Sequence, residues 1–219
     1  MEKIYTREEV LHRFADGQRI MVGGFANHGV PEYLIDGIIE TGVKNLTIIS
    51  NDSGDPGIGV GKLISSRRTV KITCSFIGKH PEAVNQYASG ELEVELVPLG
   101  TLMERIRCGG AGLGGALVRT GLGTLVEKDK EKIIVNNKSY LLETPLQADI
   151  SLVKAWKADT MGNLVYRGSS RNCNPLMATA GKLVIVETEE IVPVGTIDPD
   201  QVITPGVLVH MIVVGKGDQ

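Results

Sequence analysis

The chain has 219 residues, a formal net charge of −3, 27 glycines, three cysteines and only 4% aromatic residues. That length admits one large domain whose core needs no staples, and the near-balanced charge with few aromatics excludes a basic stacking surface for nucleic acid. Cys74, Cys108 and Cys173 lie too far apart and too few for a disulfide framework, which fits a reducing cytoplasm.

Thr6 with Glu9 three residues on reads as a capping box opening a helix to about residue 14. Strand and helix patterns then alternate. Strands are predicted over 19–22, 46–50, 70–75 and 94–97. Between them fall helices over 31–41, closed by Gly42, a short one through Ile64, and one over 81–88, ended by Gly90; another over 101–108 follows the last strand. The alternation predicts an α/β fold with an open, mostly parallel sheet and helices on both faces. Seven glycines in fifteen residues dissolve the pattern over 109–123, which reads as a long functional or interface-forming loop. Residues 133–135 and 140–142 around Asn136-Asn137 read as an added β-hairpin. Later strands are predicted over 150–153, 164–165 and 183–186, with a helix over 175–180. No repeat or linker divides the chain, so a single domain over 1–219 is expected. The N-terminus lacks an apolar signal core, and the longest apolar run, 207–214, is interrupted by His210 and too short to span a bilayer.

The segment 16–31 carries the most information. Ile20, Met21 and Val22 end at Gly23-Gly24, followed by Phe25, Ala26, Asn27, His28 and Gly29, and Pro31 opens a helical pattern at the first helical position. A buried strand feeding a helix through a glycine-rich loop exposes backbone N–H groups beside the helix's positive end, a place for an anion or a polar ligand edge. The same pattern also serves as a tight β–α turn without a ligand. Asn51, Asp52, Ser53 and Gly54 lie just past a strand's carboxyl end, where open α/β sheets bind ligands; the composition equally suits an Asx turn.

Other chemistry is sparse. No Cys/His cluster has metal-ligand spacing, and no nucleophile elbow or phosphate-binding loop with lysine occurs. Gly110-Ala-Gly112-Leu-Gly-Gly115 matches a dinucleotide-binding pattern but follows a helix, whereas that fingerprint needs a strand. His28 is either an acid, base or donor, or a loop histidine on the surface or at an interface. Glu143, at a strand end before Pro145, is either a buried carboxylate or a local ion-pair member.

Asp16-Gly17, Gly23-Gly24-Phe25 and Gly29-x-Pro31 resemble the N-terminal signature of the α subunits of family I coenzyme A transferases. The resemblance continues through Ser50-Asn51-Asp52-Ser-Gly54, 90–96, 100–107, Gly109-Gly-Ala-Gly112, Lys154-Ala-Trp-Lys-Ala-Asp159, Arg171-Asn172 and Thr204-Pro-Gly206, nearly the whole chain in order. Within the family the pattern is most similar to enzymes exchanging CoA among acetate, butyrate, acetoacetate and succinate.

The resemblance implies half of an active site. The nucleophilic glutamate belongs to a Ser-Glu-Asn-Gly motif on a β subunit, and no glutamate here precedes Asn-Gly, so no catalytic residue is expected in this chain. CoA is a substrate, with no permanently bound cofactor and no metal. The implied chemistry is ping-pong, through an acyl–glutamyl anhydride and a glutamyl-CoA thioester. By the same resemblance Gly23, Gly24, Phe25, Ala26, Asn27, His28 and Gly29 face CoA, while Asn51, Asp52, Leu99 and Gly100 border the acyl pocket and oxyanion. Relatives carry Pro-Gln-Gly-Thr where this chain has Pro98-Leu99-Gly100-Thr101, so a side-chain donor is missing at Leu99. Asn27 is the expected substitute. Two other readings stand beside this one, a non-catalytic acyl-CoA or carboxylate binding module and a sugar-phosphate isomerase of related fold.

Overall fold

A computed structural model describes residues 3–215. The capping box forms as expected: the Thr6 hydroxyl accepts from the Glu9 amide, and helix α1 (Arg7–Leu11) follows, ending three residues before the predicted limit. Seven strands then build one parallel sheet. They are β1 (Arg19–Val22), β2 (Leu46–Ser50), β3 (Thr69–Cys74), β4 (Glu93–Leu96), β8 (Ala148–Asp159), β10 (Gly181–Val192) and β11 (Met211–Val214), in spatial order β11-β10-β8-β1-β2-β3-β4. The short β9 (Leu164–Val165) pairs antiparallel with β8.

Period-two alternation sorts side chains to the two faces. Ile20 and Val22 of β1, with Ile48 and Ile72, join α1, α2 (Glu32–Thr41), α3 (Val60–Ser65) and α4 (Pro81–Ser89). Met21 and Ile49 point the other way, against α5 (Leu99–Ala111) and α6 (Asn174–Met177). Helices therefore cover both faces, and the strands between them are apolar on both sides. Among the described residues no helix is long and apolar enough to cross a membrane.

Strands β5 (Ala116–Val118), β6 (Lys132–Val135) and β7 (Lys138–Glu143) form a separate antiparallel sheet in the order β5-β7-β6. Asn136 and Asn137 turn its hairpin with φ of 48° and 59°, the doubly positive geometry that asparagine tolerates.

Four sequence expectations are corrected. Pro31 is the N-cap of α2 rather than its first residue. It offers no side-chain cap; instead the Glu187 carboxylate of β10 accepts from the Leu34 amide at 3.1 Å. Burial pushes the Glu187 carboxyl up, against the pull of the Lys154 ammonium at 3.0 Å. Second, α5 begins at Leu99, so Leu99 and Gly100 occupy a helix's first turn. Third, Gly109 and Gly110 continue that helix, and β5 lies within the stretch read as loop. Fourth, β8 and β10 each run to twelve residues, well past the predicted ends.

Charge joins the small sheet to the main body. Arg105 of α5 contacts Glu95 of β4 at 2.6 Å and donates to the Thr144 carbonyl at 2.8 Å. Buried Glu143 meets Lys130 at 2.5 Å and Arg105 at 4.0 Å, so it is both buried and ion-paired. Burial disfavours ionised Glu95, but Arg105, with Thr73 and Lys71, outweighs it and holds the carboxyl below the usual carboxylate range. A depressed carboxyl contributes stability above its unfolded pKa of about 4.3, lost as pH falls through the folded value. Urea unfolding of Glu95→Gln is expected to show a deficit at pH 7 that shrinks as the pH is lowered below about 4.3. A pH-independent difference would detach Glu95 from the effect.

Candidate functional site

In a parallel sheet the crevice for a ligand opens where strand order reverses, beyond the carboxyl ends of the strands. Here that point is β1: successive crossovers proceed on one side to β2, β3 and β4, and the later strands β8, β10 and β11 lie on the other. The glycine-rich loop leaves β1 at this junction.

Gly23 donates to the Leu152 carbonyl of β8 at 2.9 Å. A Cβ on Gly23 would stand 1.8 Å from Asn174 Oδ1, so only glycine fits beneath that side chain. Asn174 is wholly buried and clamps three segments. Its Oδ1 accepts from the Lys154 amide at 3.0 Å; its Nδ2 donates to the carbonyls of Gly29 and Ser170, each at 2.9 Å. Asn172 adds a bond to the His28 carbonyl at 2.9 Å. Held from behind, the loop folds into a small hairpin. Phe25 and His28 exchange backbone bonds of 3.1 and 2.9 Å across Ala26 (φ 47°) and Asn27 (φ 68°).

The tip of this turn faces the loops after β2 and β3. Together with Leu99 they enclose a cleft of about 310 Å³ lined by Phe25, Ala26, Asn27, Asn51, Asp52, Ser53, Gly54, Asp55, Ser75, Phe76, Lys79 and Leu99. A shallower recess beside it is bounded by Gly23, Gly24 and Val60. Phe25, Phe76 and Leu99 give the cleft an apolar side, yet remain 45%, 50% and 39% exposed.

Its carboxylates are committed. Asp52 Oδ1 accepts from the Gly54 amide at 2.8 Å, the Asx turn that the composition equally suits, and Oδ2 accepts from Asn51 Nδ2 at 2.6 Å and the Ala26 amide at 3.3 Å. Asn27 Nδ2 donates to Asp55 at 2.5 Å. The Ser75 hydroxyl donates to the Asn51 carbonyl at 2.7 Å. Burial pushes the neighbouring thiols up, Cys74 to about 12 and Cys173 to about 11, so both stay protonated at neutral pH and are poor nucleophiles. Among the described residues no group of three or more His, Cys, Asp or Glu side chains is placed to hold a metal ion.

Of the residues singled out from sequence, Phe25, Ala26, Asn27, Asn51, Asp52 and Leu99 meet in this cleft; Gly23 and Gly24 line the recess beside it. Gly29 is buried under Ser170 and Asn174, behind the turn. His28 is exposed, and neither it nor Gly100 lines the cleft. Sequence reasoning missed Ser75, Phe76 and Lys79, although they follow β3 as Asn51 follows β2. It also missed Asn174, whose only local signal is its place between Asn172 and Pro175.

A model of the family described as Coenzyme A transferase matches residues 5–215 of this chain. The chain belongs to the coenzyme A transferase family. It is 50% identical over 211 residues to the acetoacetyl-CoA:acetate/butyrate CoA transferase alpha subunit of Clostridium acetobutylicum, covering 96% of this chain and 97% of that one. It is 46% identical to the alpha subunit of the acetate CoA-transferase of Escherichia coli K12, over 98% of this chain and 97% of that one. Against the corresponding subunit of the probable succinyl-CoA:3-ketoacid coenzyme A transferase of Bacillus subtilis the identity is 47%, covering 98% and 90%. The chain is thus of the alpha-subunit type within the family.

Solved structures bear out the fold. Glutaconate coenzyme A-transferase from Acidaminococcus fermentans superposes with a TM-score of 0.85 at 18% identity, over 98% of this chain and 76% of that one. An acyl-CoA transferase from E. coli O157:H7, solved as a thioester complex with CoA, gives 0.87 at 20% identity over 98% of this chain. This chain spans about half of that protein, 47% of its length.

The clash at Gly23 yields a double-mutant test. Gly23→Ala and Asn174→Ala are each expected to destabilise the chain by about 1–3 kcal/mol, one by overpacking and the other by leaving buried groups unpaired. Removing the Asn174 amide also removes the obstacle to the new methyl, so the double variant should lose less than the sum, by at least ~0.5 kcal/mol in urea unfolding. Strict additivity would mean that the two do not share this space.

Proposed function

We propose that this chain is the α subunit of a short-chain acyl or 3-oxoacid CoA-transferase, a single domain that works in the cytoplasm only when joined to a β subunit. The observation that carries the reading is a cleft at the switch point without a free nucleophile. Among the described residues no glutamate lines it, and Asp52 and Asp55 already accept bonds from their own loop and from Ala26 and Asn27. A catalytic carboxylate is then supplied by the partner, in a Ser-Glu-Asn-Gly motif. The relatives at 46–50% identity, each described as one subunit of a transferase, support that division of labour.

The partner's glutamate attacks the acyl-CoA thioester carbon. The C–S bond breaks, leaving an acyl–glutamyl anhydride and CoA thiolate. The thiolate attacks the glutamyl carbonyl and expels the first acid, which leaves a glutamyl-CoA thioester. An incoming carboxylate reverses both steps. Thioester energy is conserved in covalent intermediates throughout. In this reading the turn from Gly23 to His28 faces CoA, with Gly29 behind it and Asn51, Asp52 and Leu99 along the acyl group. A cleft of about 310 Å³ is at the small end of ligand pockets, suited to a short acyl chain rather than a whole nucleotide.

Two outcomes are expected. The isolated chain will not exchange acyl groups between acetyl-CoA and butyrate or acetoacetate, whereas the α–β complex will; robust turnover by the isolated chain refutes the proposal and shows a nucleophile within it. When the complex is treated with acyl-CoA and then borohydride, mass spectrometry will find the reduced glutamyl site on the partner. Modification of Glu143, or of any other glutamate of this chain, would reverse the assignment of roles.

A further inference from the structure

The cleft's donor side chains differ in one respect. Asn27 and Asn51 direct their amide nitrogens at Asp55 and Asp52, and Ser53 and Ser75 donate to backbone carbonyls. Lys79 alone among the cleft's donors has no hydrogen bond or ion pair to a described residue. It is exposed, and stands in the same cavity as the apolar side chains of Phe25, Phe76 and Leu99. An acid substrate enters such a cavity as an anion. Its alkyl part suits the apolar side, and its charge requires a counter-charge that the committed carboxylates of Asp52 and Asp55 oppose.

We propose that Lys79 is a catalytic residue of this chain, donating from Nζ to the oxygen of the incoming acid that does not attack. The assignment rests on the transferase reading and names a group that serves it. The acid's other oxygen bonds to the glutamyl carbon as the C–S bond breaks and thiolate leaves. The thiolate then attacks the acyl carbon, and the oxygen held by Lys79 takes the developing negative charge. As that intermediate collapses, the C–O bond to glutamate breaks, giving the new acyl-CoA and the free glutamate carboxylate. One donor thus orients the anion in the ground state and stabilises the oxyanion that forms on the same atom. No proton is gained or lost over the cycle, so the step asks of Nζ only a hydrogen bond.

The test uses the α–β complex with Lys79→Met and Lys79→Arg, assayed with acetate, butyrate, acetoacetate and succinate as acceptors. Lys79→Met is expected to lower kcat/KM for every acid by about ten- to a hundredfold, the range for a hydrogen bond to a charged group. Both a raised KM for the acid and a lowered kcat should contribute, and Lys79→Arg should restore most of the loss. Because Lys79 is exposed, the complex should keep its mass and Tm, which separates this role from a structural one. Unchanged kcat/KM overturns the proposal. So does a loss confined to succinate, which would make Lys79 a reader of a second carboxylate, or one confined to the KM for the CoA ester, which would place it on a phosphate. A wild-type complex that exchanges no acid at all overturns the transferase reading itself, and this assignment with it.

Discussion

The architecture turns on one crowded contact. Where β1 ends, the Asn174 side chain occupies the volume that any Cβ at Gly23 would need. From there it bonds strand β8, the far end of the glycine-rich loop and the turn at Ser170. A buried amide with its oxygen and nitrogen both engaged is stiff and specific, because each lost bond would strand a desolvated group. The clamp fixes where the loop begins and ends. The small hairpin between those points then has little choice but to face the loops after β2 and β3.

Its surroundings are built on the same plan, with distant segments satisfying one another's polar groups. Helix α2 begins without a side-chain cap of its own and borrows the carboxylate of Glu187, which in turn needs Lys154 to be tolerable in the interior. The small antiparallel sheet is tied back through Arg105 and Glu143. Polar atoms facing the cleft are mostly used in holding its shape. Among the described residues, what is left toward the open side is apolar surface and the Lys79 ammonium.

Much of this was legible in the sequence. The run Ile20–Val22 stopped by two glycines could only be a strand running into a tight loop, and Asn136-Asn137 announced a hairpin because asparagine accepts positive φ at both turn positions. The failures have a common physical cause. Sequence reading ends β8 before Lys154 and β10 before Glu187 because a charge in a buried strand is costly; the two cancel each other at 3.0 Å, a pairing across 33 residues that no local pattern reveals. Gly109 and Gly110 looked like helix breakers. They stand inside α5 because a Cβ at either would come within 2.0–2.1 Å of the Leu146 carbonyl or the Thr179 hydroxyl. At the site, strand-end logic identified Asn51 and Asp52 but was not carried on to the loop after β3. Asn174 was invisible because its partners are up to 145 residues away.

That separation also orders events during synthesis. The walls of the cleft come from the first hundred residues, whose strands β1 to β4 are joined by short crossovers and pair with near neighbours in sequence. The clamp comes from residues 172 and 174, so closing it must bring together chain segments 144 and 145 residues apart. Loop closure of that length carries a larger entropic cost than the nearer pairings do. As the chain leaves the ribosome, the glycine-rich turn therefore emerges early and is clamped late. Until the last third arrives, the far end of the turn lacks the bonds that Asn172 and Asn174 give to the carbonyls of His28 and Gly29.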